Sequence, residues 1–480
     1  MPPPRRRPRL SSRPYAAAVA AEPRGARGWL AVRRGRPAKR ARRAAAIARA
    51  DEDDGTPLTD EILVVRVFAT LPDLADLVRC AATCRRWRRL VSAEAAFICG
   101  RRRPPAPPSF ARSLALGFFY LHRAGAVPRF APMASASRRL ALRQPCSLNA
   151  LVEGLDDGLF DAARVVASRG GLVAVELRRG KRERALKLCI CNPMTGEFAV
   201  LPPLSGRDSL NCYACAILTD ADADGAVVEQ KHAAPSSSYR LVLVYRRRGF
   251  TACRSYSSDG GAWGPEAKVS GGLFLGGKEM AAMAAAGAGV AAGGKVFWLT
   301  RGCAFGLDLA TMQAEVVRLP QPKGQVPAGS AVLAASPDGR SLRAVQVVET
   351  LAPTAKKPTV AIAVHTRRAT GGGWEEPAAA IEVARQLPEE AFVKLRCACE
   401  RSGVVFFAAW RRDHQGGREV YAVSVDKGEV EKVAGHHGGG GGGGGGGRWD
   451  PAWEDLHGYE MDQVSYLASL AVDDDDDGDS

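Results

Sequence analysis

The apolar positions change period once along the chain. Between residues 56 and 98 they recur at helical spacing. Thr59 ahead of Asp60 and Glu61 reads as an N-cap followed by acidic residues in a first turn, where the helix dipole favours them. Ile62, Leu63, Val65, Val67 and Phe68 then form a broad apolar surface that stops at Pro72. Asp73 reads as the cap of a second helix with the stripe Leu74, Leu77, Val78 and Ala81. A third stripe, Cys80, Cys84, Trp87 and Val91, has Arg85, Arg86, Arg88 and Arg89 beside it, which are expected to be solvated. About 40 residues of helix are at the lower limit for an independent core. The first helix carries more apolar surface than the unit can cover, which predicts a partner protein.

From about residue 160 the texture becomes β. Short apolar runs such as Leu172–Val175, Leu241–Tyr245, Val296–Leu299 and Val404–Phe407 are bounded by Gly, Pro, Asp and Ser. Turn signals recur near residues 194, 259, 310, 371 and 427, for example Asn192-Pro193-Met194-Thr195-Gly196 and Val425-Asp426-Lys427-Gly428. Their spacing of 51 to 65 residues is close to the roughly 50-residue period of kelch-like propeller blades. A blade cannot bury its faces alone, so five or six blades stacked around an axis are the expected solution, with a β-sandwich as the alternative. The fold class expected is α+β multidomain, a small helical unit followed by an all-β domain.

The divisions expected are a disordered basic tail 1–55, a helical unit 56–98, a Pro- and Arg-rich connector 99–155 and a β-domain 156–435. A poly-Gly linker 436–448, a segment 449–472 that docks back on the β-domain and an acidic tail 473–480 complete the chain.

Charge sharpens this division. The chain has 67 Lys+Arg against 51 Asp+Glu, a net +16. Residues 1–50 hold 15 of the basic side chains and one acid, Glu22, so +14 belongs to the tail. The near-neutral remainder gives no support to a nucleic-acid-binding fold. Within the tail, Lys39, Arg40, Arg42 and Arg43 fit a nuclear-import cluster, the Arg-rich composition fits an organelle transit peptide, and a solvated tail without an address is the plain alternative. No run approaches the ~18 apolar residues of a membrane helix, and the twelve Cys are irregularly spaced, so a reducing compartment, nucleus or cytoplasm, is expected.

Catalytic signatures are decoys or missing. Gly277-Lys278 and Gly294-Lys295 have phosphate-loop spacing, but Glu279 and Val296 stand where a Ser or Thr must meet magnesium. Cys189/Cys191, Cys212/Cys215 and Cys397/Cys399 lack a nearby His at ligand spacing and read as buried strand residues. No nucleophile elbow, metalloprotease helix or kinase signature occurs. The chain is therefore read as non-enzymatic, without cofactor, metal, membrane or specific nucleic-acid partner.

Leu58-Thr59-Asp60-Glu61-Ile62-Leu63, Leu71-Pro72, Leu77, Cys84-Arg85-Arg86-Trp87-Arg88-Arg89-Leu90 and Phe97 together resemble an F-box. Thr59 stands where the family has Pro, and the span from Leu58 to Pro72 is about one residue longer than the family's. An ordinary helical hairpin with a buried Trp is the competing reading. The Asn-Pro-Met-Thr-Gly turn followed by Leu201-Pro202-Pro203 resembles the F-box-associated β-domains of plants. Tyr459-Glu460-Met461-Asp462 and Ser465–Leu470 resemble the closing segment of a large grass F-box family whose second domain has no established function. The resemblance implies an adaptor of an SCF-type ubiquitin ligase, binding a Skp-type protein and through it a cullin. Leu58, Ile62, Leu63, Leu71, Pro72 and Leu77 would face or shape that interface. Cys84, Trp87 and Leu90 would hold the helices together. The β-domain would bind an unknown target protein. The alternative is a propeller that binds a small ligand or glycan, which a cluster of polar residues at one mouth would favour.

Overall fold

A computed structural model describes residues 58–471 apart from Pro72 and a set of internal stretches, the longest being 101–113, 223–237 and 436–454. The expectations for 1–55, 436–448 and 473–480 lie outside the described residues.

Helix α1 begins as Asp60–Ile62 and continues as a π turn, Leu63–Val67, and a 3-10 turn, Phe68–Thr70. It is followed by α2 (Leu74–Ala81), α3 (Arg85–Ala93) and α4 (Ala95–Gly100), and farther along the chain by α5 (Ala134–Leu140) and α6 (Gly277–Ala285). Side-chain caps set the starts. Thr59 Oγ1 accepts from the Ile62 amide at 3.4 Å and Asp73 Oδ1 from the Ala75 amide at 3.2 Å. Each cap pairs an amide that the helix itself leaves without a partner.

The rest is a six-bladed β-propeller, built from six antiparallel sheets. In chain order the innermost strands are Arg164–Arg169, Tyr213–Thr219, Val290–Ala292, Val326–Ala335 and Ala391–Cys399 for blades one to five. Blade six is composite. Its innermost strand, Leu456–Glu460, comes from the far end of the chain, and the other three, Ala115–Tyr120, Arg129–Pro132 and Cys146–Ser147, come from the segment before blade one. The expectation that 99–155 is a connector is thereby corrected. The second strand of the composite blade is buried at all six positions, because the apolar patch Leu114 to Leu121 is sheet. Gly117 in that strand has φ +156°, and a Cβ there would lie 2.1 Å from the Ala131 carbonyl oxygen, so no side chain fits.

The continuous apolar runs are explained by burial on both faces. Leu241, Leu243 and Tyr245 point into the core between blades one and two, while Val242 and Val244 point into the core between blades two and three. Val404 and Phe406 likewise face blade six, and Val405 and Phe407 face blade four. Successive strand residues face opposite ways, so a strand sandwiched between two blades is apolar at every position. A two-layer sandwich exposes one face of each sheet and would read as alternation, which disposes of that alternative.

The repeated turns join the third and fourth strands of blades one to five. Asn192 illustrates the local chemistry. Its Oδ1 accepts from the Met194 amide at 3.1 Å, its carbonyl accepts from the Gly196 amide at 2.8 Å, and Gly196 takes φ +80°. Tryptophans tie neighbouring blades together: Trp263 Nε1 donates to the Pro202 carbonyl (2.7 Å), Trp298 Nε1 to that of Cys215 (3.1 Å) and Trp374 Nε1 to that of Arg318 (2.8 Å).

Candidate adaptor interface

Helix α7 (Gln463–Ala468) begins just past the far end of the composite blade's inner strand, capped by Asp462, whose Oδ1 accepts from the Val464 amide at 3.0 Å. Tyr466 and Leu467 are buried. The helical unit rests on this helix. Ser92 Oγ in α3 donates to the Ala468 carbonyl, and one continuous core runs from Leu63, Phe68, Leu77, Val91 and Ile98 through Leu467 into the composite blade. The unit is therefore packed onto the propeller, and the core it lacks in its own ~40 residues is supplied by the closing segment.

Within the unit, Leu63 and Leu77 are buried, at 2% and 0% exposure, and belong to its core. Both lie beneath the surface of the unit, where a residue can shape an interface but does not present its side chain to it. The reason is phase: helical spacing shows which residues share a stripe, and only the packing decides which stripe turns inward. Leu71 is half-buried and Pro72 lies outside the described residues. Leu58 and Ile62 remain exposed, at 43% and 40%, the first just ahead of the Thr59 cap and the second in the first helical turn. Of the other large exposed apolar residues among those described, Phe198 and Val200 share the outermost strand of blade one, Val316 lies on blade three and Phe392 on blade five.

The residues expected to hold the helices together divide differently. Trp87 is half-buried and meets Phe68 edge-to-face, centroids 5.4 Å apart at 74°. Leu90 is half-buried against the same core. Cys84 works as a cap instead, its Sγ accepting from the Trp87 amide at 3.4 Å. The Arg residues beside this stripe are not all solvated, as had been expected. Arg86 donates through Nε (2.9 Å) and a terminal nitrogen (2.7 Å) to Asp60 Oδ1, and through the same terminal nitrogen to the Leu58 carbonyl at 3.0 Å. Arg88 is half-buried. Arg86 thus clamps the backbone that presents Leu58 and Ile62. The two partners lie 26 and 28 residues away, and no periodicity encodes such a pairing.

The π turn accounts for the longer span between Leu58 and Pro72. The Phe68 amide reaches back to the Leu63 carbonyl, a five-residue step. Such a step takes up one residue more than an α turn, so the surplus residue is accommodated while Phe68 still enters the core.

Burial and the nearby Asp76 carboxylate push the Cys80 thiol up. Cys189 and Cys397 are pushed up to about 12 by burial. Among the described residues no three His, Cys, Asp or Glu side chains are grouped to hold a metal ion, and no helix is long and apolar enough to cross a membrane.

Two family models match. An F-box-like model matches residues 60–97, and the model for a domain of unknown function, DUF7595, matches residues 133–409, more than half of the chain. The chain belongs to the DUF7595 family. The DUF7595 match starts inside the composite blade and ends in the second strand of blade five. No curated protein matches the chain. Among solved structures, a post-proline cleaving enzyme from Rickettsia typhi is 9% identical over 75% of this chain and 57% of that one, with a TM-score of 0.34. A functionally unknown protein from Desulfotomaculum acetoxidans DSM 771 is 11% identical over 66% of this chain and 95% of that one, with a TM-score of 0.30. The β-propeller domain of the Trilobed protease from Pyrococcus furiosus, described as having an open velcro topology, is 9% identical over 57% and 85%, with a TM-score of 0.27. Overlaps at these scores carry no argument about this member of the DUF7595 family.

Proposed function

We propose that the chain is the substrate-recognition adaptor of an SCF-type cullin–RING ubiquitin ligase. Residues 60–97 match an F-box-like model, and F-box domains generally bind Skp-type adaptors. The helical unit would bind the Skp-type adaptor and, through it, a cullin, while the propeller binds a target protein. On this reading the chain does no chemistry. It holds the target beside the ubiquitin-conjugating enzyme, which raises the local concentration of one at the other. Packing of the helical unit on α7 favours such a role, since a fixed orientation between the two binding parts limits where a target lysine can go.

The observation that carries the reading is that Leu58 and Ile62, both at the helix start, are exposed on a unit whose other large apolar side chains are inside or half-buried. Apolar anchors held on a stiff backbone are the kind of group that dominates interface energies. The test is capture of a purified Skp-type adaptor by the full chain. Wild type should bind it, and Leu58→Asp/Ile62→Asp should lose at least tenfold in affinity with an unchanged melting temperature, because both positions are already exposed. Wild type that binds no Skp-type adaptor would overturn the reading.

A further inference from the structure

The charged side chains that line the central cavity, about 720 Å³ in volume, are engaged within the protein. Arg164 pairs with Glu176 at 2.9 Å, Asp455 lies 3.0 Å from His457 Nε2, and Lys394 and Arg396 have partners as well. Hydrogen-bonding groups are left open instead at the rim, because the fourth strand of each blade pairs on one side only.

Five of the six rim strands are short, covered or charged. Those of blades four and six, Ile381–Glu382 and Cys146–Ser147, have two residues each, and that of blade two is broken into Ala262–Trp263 and Ala267–Lys268. In blade three, Ala314–Arg318, the Ala314 amide donates to the Ser270 carbonyl at 3.1 Å, the Arg318 carbonyl accepts from Trp374 Nε1 at 2.8 Å, and Glu315 pairs with Lys295 and Arg367. In blade five, Val430–Gly435, the strand carries Glu431 and Lys432, and its register shifts opposite Val420 and Tyr421.

The rim strand of blade one, Phe198–Val200, differs: all three residues are exposed and none is charged. The Asn192 amide donates to the Glu197 carbonyl at 2.8 Å and the Leu201 amide to the Leu188 carbonyl at 2.9 Å, which fixes the ladder between them. Successive residues of an antiparallel pair turn their main-chain groups alternately toward and away from the partner strand. Ala199 therefore bonds inward, and the N–H and C=O groups of Phe198 and Val200 point outward. These two residues also carry the exposed apolar side chains, at 40% and 51%, on one face of the strand opposite Cys191 and Cys189. The open edge stops at Pro202, which has no N–H and whose carbonyl accepts from Trp263 Nε1 at 2.7 Å. At the other end the exposed Glu197 carboxylate accepts from the Thr195 hydroxyl at 3.1 Å and has no Lys or Arg partner among the described residues.

We propose that this edge docks an extended segment of the target protein, which adds to blade one as a further strand. Its main chain pairs with Phe198 and Val200, two apolar side chains at alternate positions cover theirs, and a basic residue faces Glu197. A second copy of this chain fits less well, because a three-residue strand buries far less than the roughly 1,200–2,000 Å² of a stable protein–protein interface. That the partner is a ubiquitination target rests on the adaptor reading; the strand pairing does not.

The test is fluorescence anisotropy of the full chain, with no adaptor present, against a short labelled peptide that alternates Thr and Val and ends in Lys. Saturable one-to-one binding is expected. N-methylation of the peptide amides along one edge should weaken it about tenfold, and so should Val200→Pro, which removes an outward N–H and leaves the inward bonds of Ala199 in place. Phe198→Lys/Val200→Lys should also lose about tenfold, with an unchanged melting temperature because both positions are exposed. No saturable binding, equal affinity for a scrambled peptide without alternation, or unchanged affinity in Phe198→Lys/Val200→Lys overturns the proposal. A dimer in sedimentation that this double variant abolishes would also overturn it, by assigning the edge to a second copy. Capture of the Skp-type adaptor, measured separately, should be unchanged in the double variant, so failure of the adaptor reading would show there and not in the peptide titration.

Discussion

The helical unit and the propeller use apolar side chains in opposite ways. In the propeller, strands such as Leu241–Tyr245 send alternate residues into two different inter-blade cores, so both faces are consumed by neighbours. In the helical unit the inward stripe is consumed by α7 and the composite blade, while Leu58 and Ile62 at the helix start remain outside. A ring of blades satisfies itself once it closes. A hairpin of helices on its surface has one face too many, and that face is where we propose a partner is bound. The difference is also electrostatic: the propeller gathers charged inner-strand residues near the axis, and the helical unit has the Arg86–Asp60 pair at its helix start.

The largest expected effect tests whether these regions are one cooperative body. Tyr459 is fully buried, donates its hydroxyl to the Gly171 carbonyl at 3.1 Å, and stacks edge-to-face on Phe119 and Phe130. Tyr459→Ala should cost about 3–5 kcal/mol in denaturant unfolding. Because the core is continuous, helical and β signals should shift together. A helical transition that stays at the wild-type midpoint would separate the two regions.

The next effect belongs to the propeller alone. Arg169 at the end of blade one's inner strand pairs with Asp222 and, at 2.8 Å, with Glu400 at the end of blade five's, beside Glu460, which accepts from the Arg401 and Ser402 amides at 3.1 Å each. Burial raises Glu400 from its ordinary 4.5 to about 7, aided by Glu460 and Asp222 and opposed by Arg169. A carboxyl raised on folding contributes stability that is fully present below about pH 4.5 and lost as pH rises through about 7. At about 1.4 kcal/mol per pKa unit this reaches about 3 kcal/mol. Relative to Glu400→Gln, wild type should therefore be more stable at about pH 5 than at about pH 8. Parallel pH profiles would show that the blade closure does not feel this proton.

The smallest effect returns to the helical unit. The Arg86–Asp60 pair is exposed, and such pairs contribute about 0.2–1 kcal/mol. Arg86→Ala should barely move the melting temperature yet weaken Skp-type adaptor binding by about two- to fivefold, because the clamp on the Leu58 carbonyl is lost. Unchanged binding would mean that the helix start is held by its Thr59 cap alone.

What could be read without a structure was what depends on near neighbours. Thr59 and Asp73 cap helices a few residues away, and the turns near residues 194, 310 and 427 are closed by Asn, Asp and Gly within a handful of positions. Apolar runs reported strands because burial leaves its mark residue by residue. The same runs also held the choice between sandwich and propeller, since they lack the alternation that a half-exposed sheet requires. The sixth blade was not legible. Its inner strand pairs Leu456 with Tyr120 and Glu460 with Ala115, and the long stretch of chain between them carries no local sign of the pairing.

Tertiary structure alone decided four things: that a Pro-rich stretch leads into sheet, that Leu63 and Leu77 turn inward while Leu58 and Ile62 do not, that Arg86 reaches the helix start, and that charged inner-strand residues from several blades converge on one cavity. Each depends on elements meeting across long sequence separations. The sequence states which residues are apolar, charged or able to cap. Which of them meet is fixed when the ring closes, because the first and last segments must share a blade before any inner strand has an axis to face.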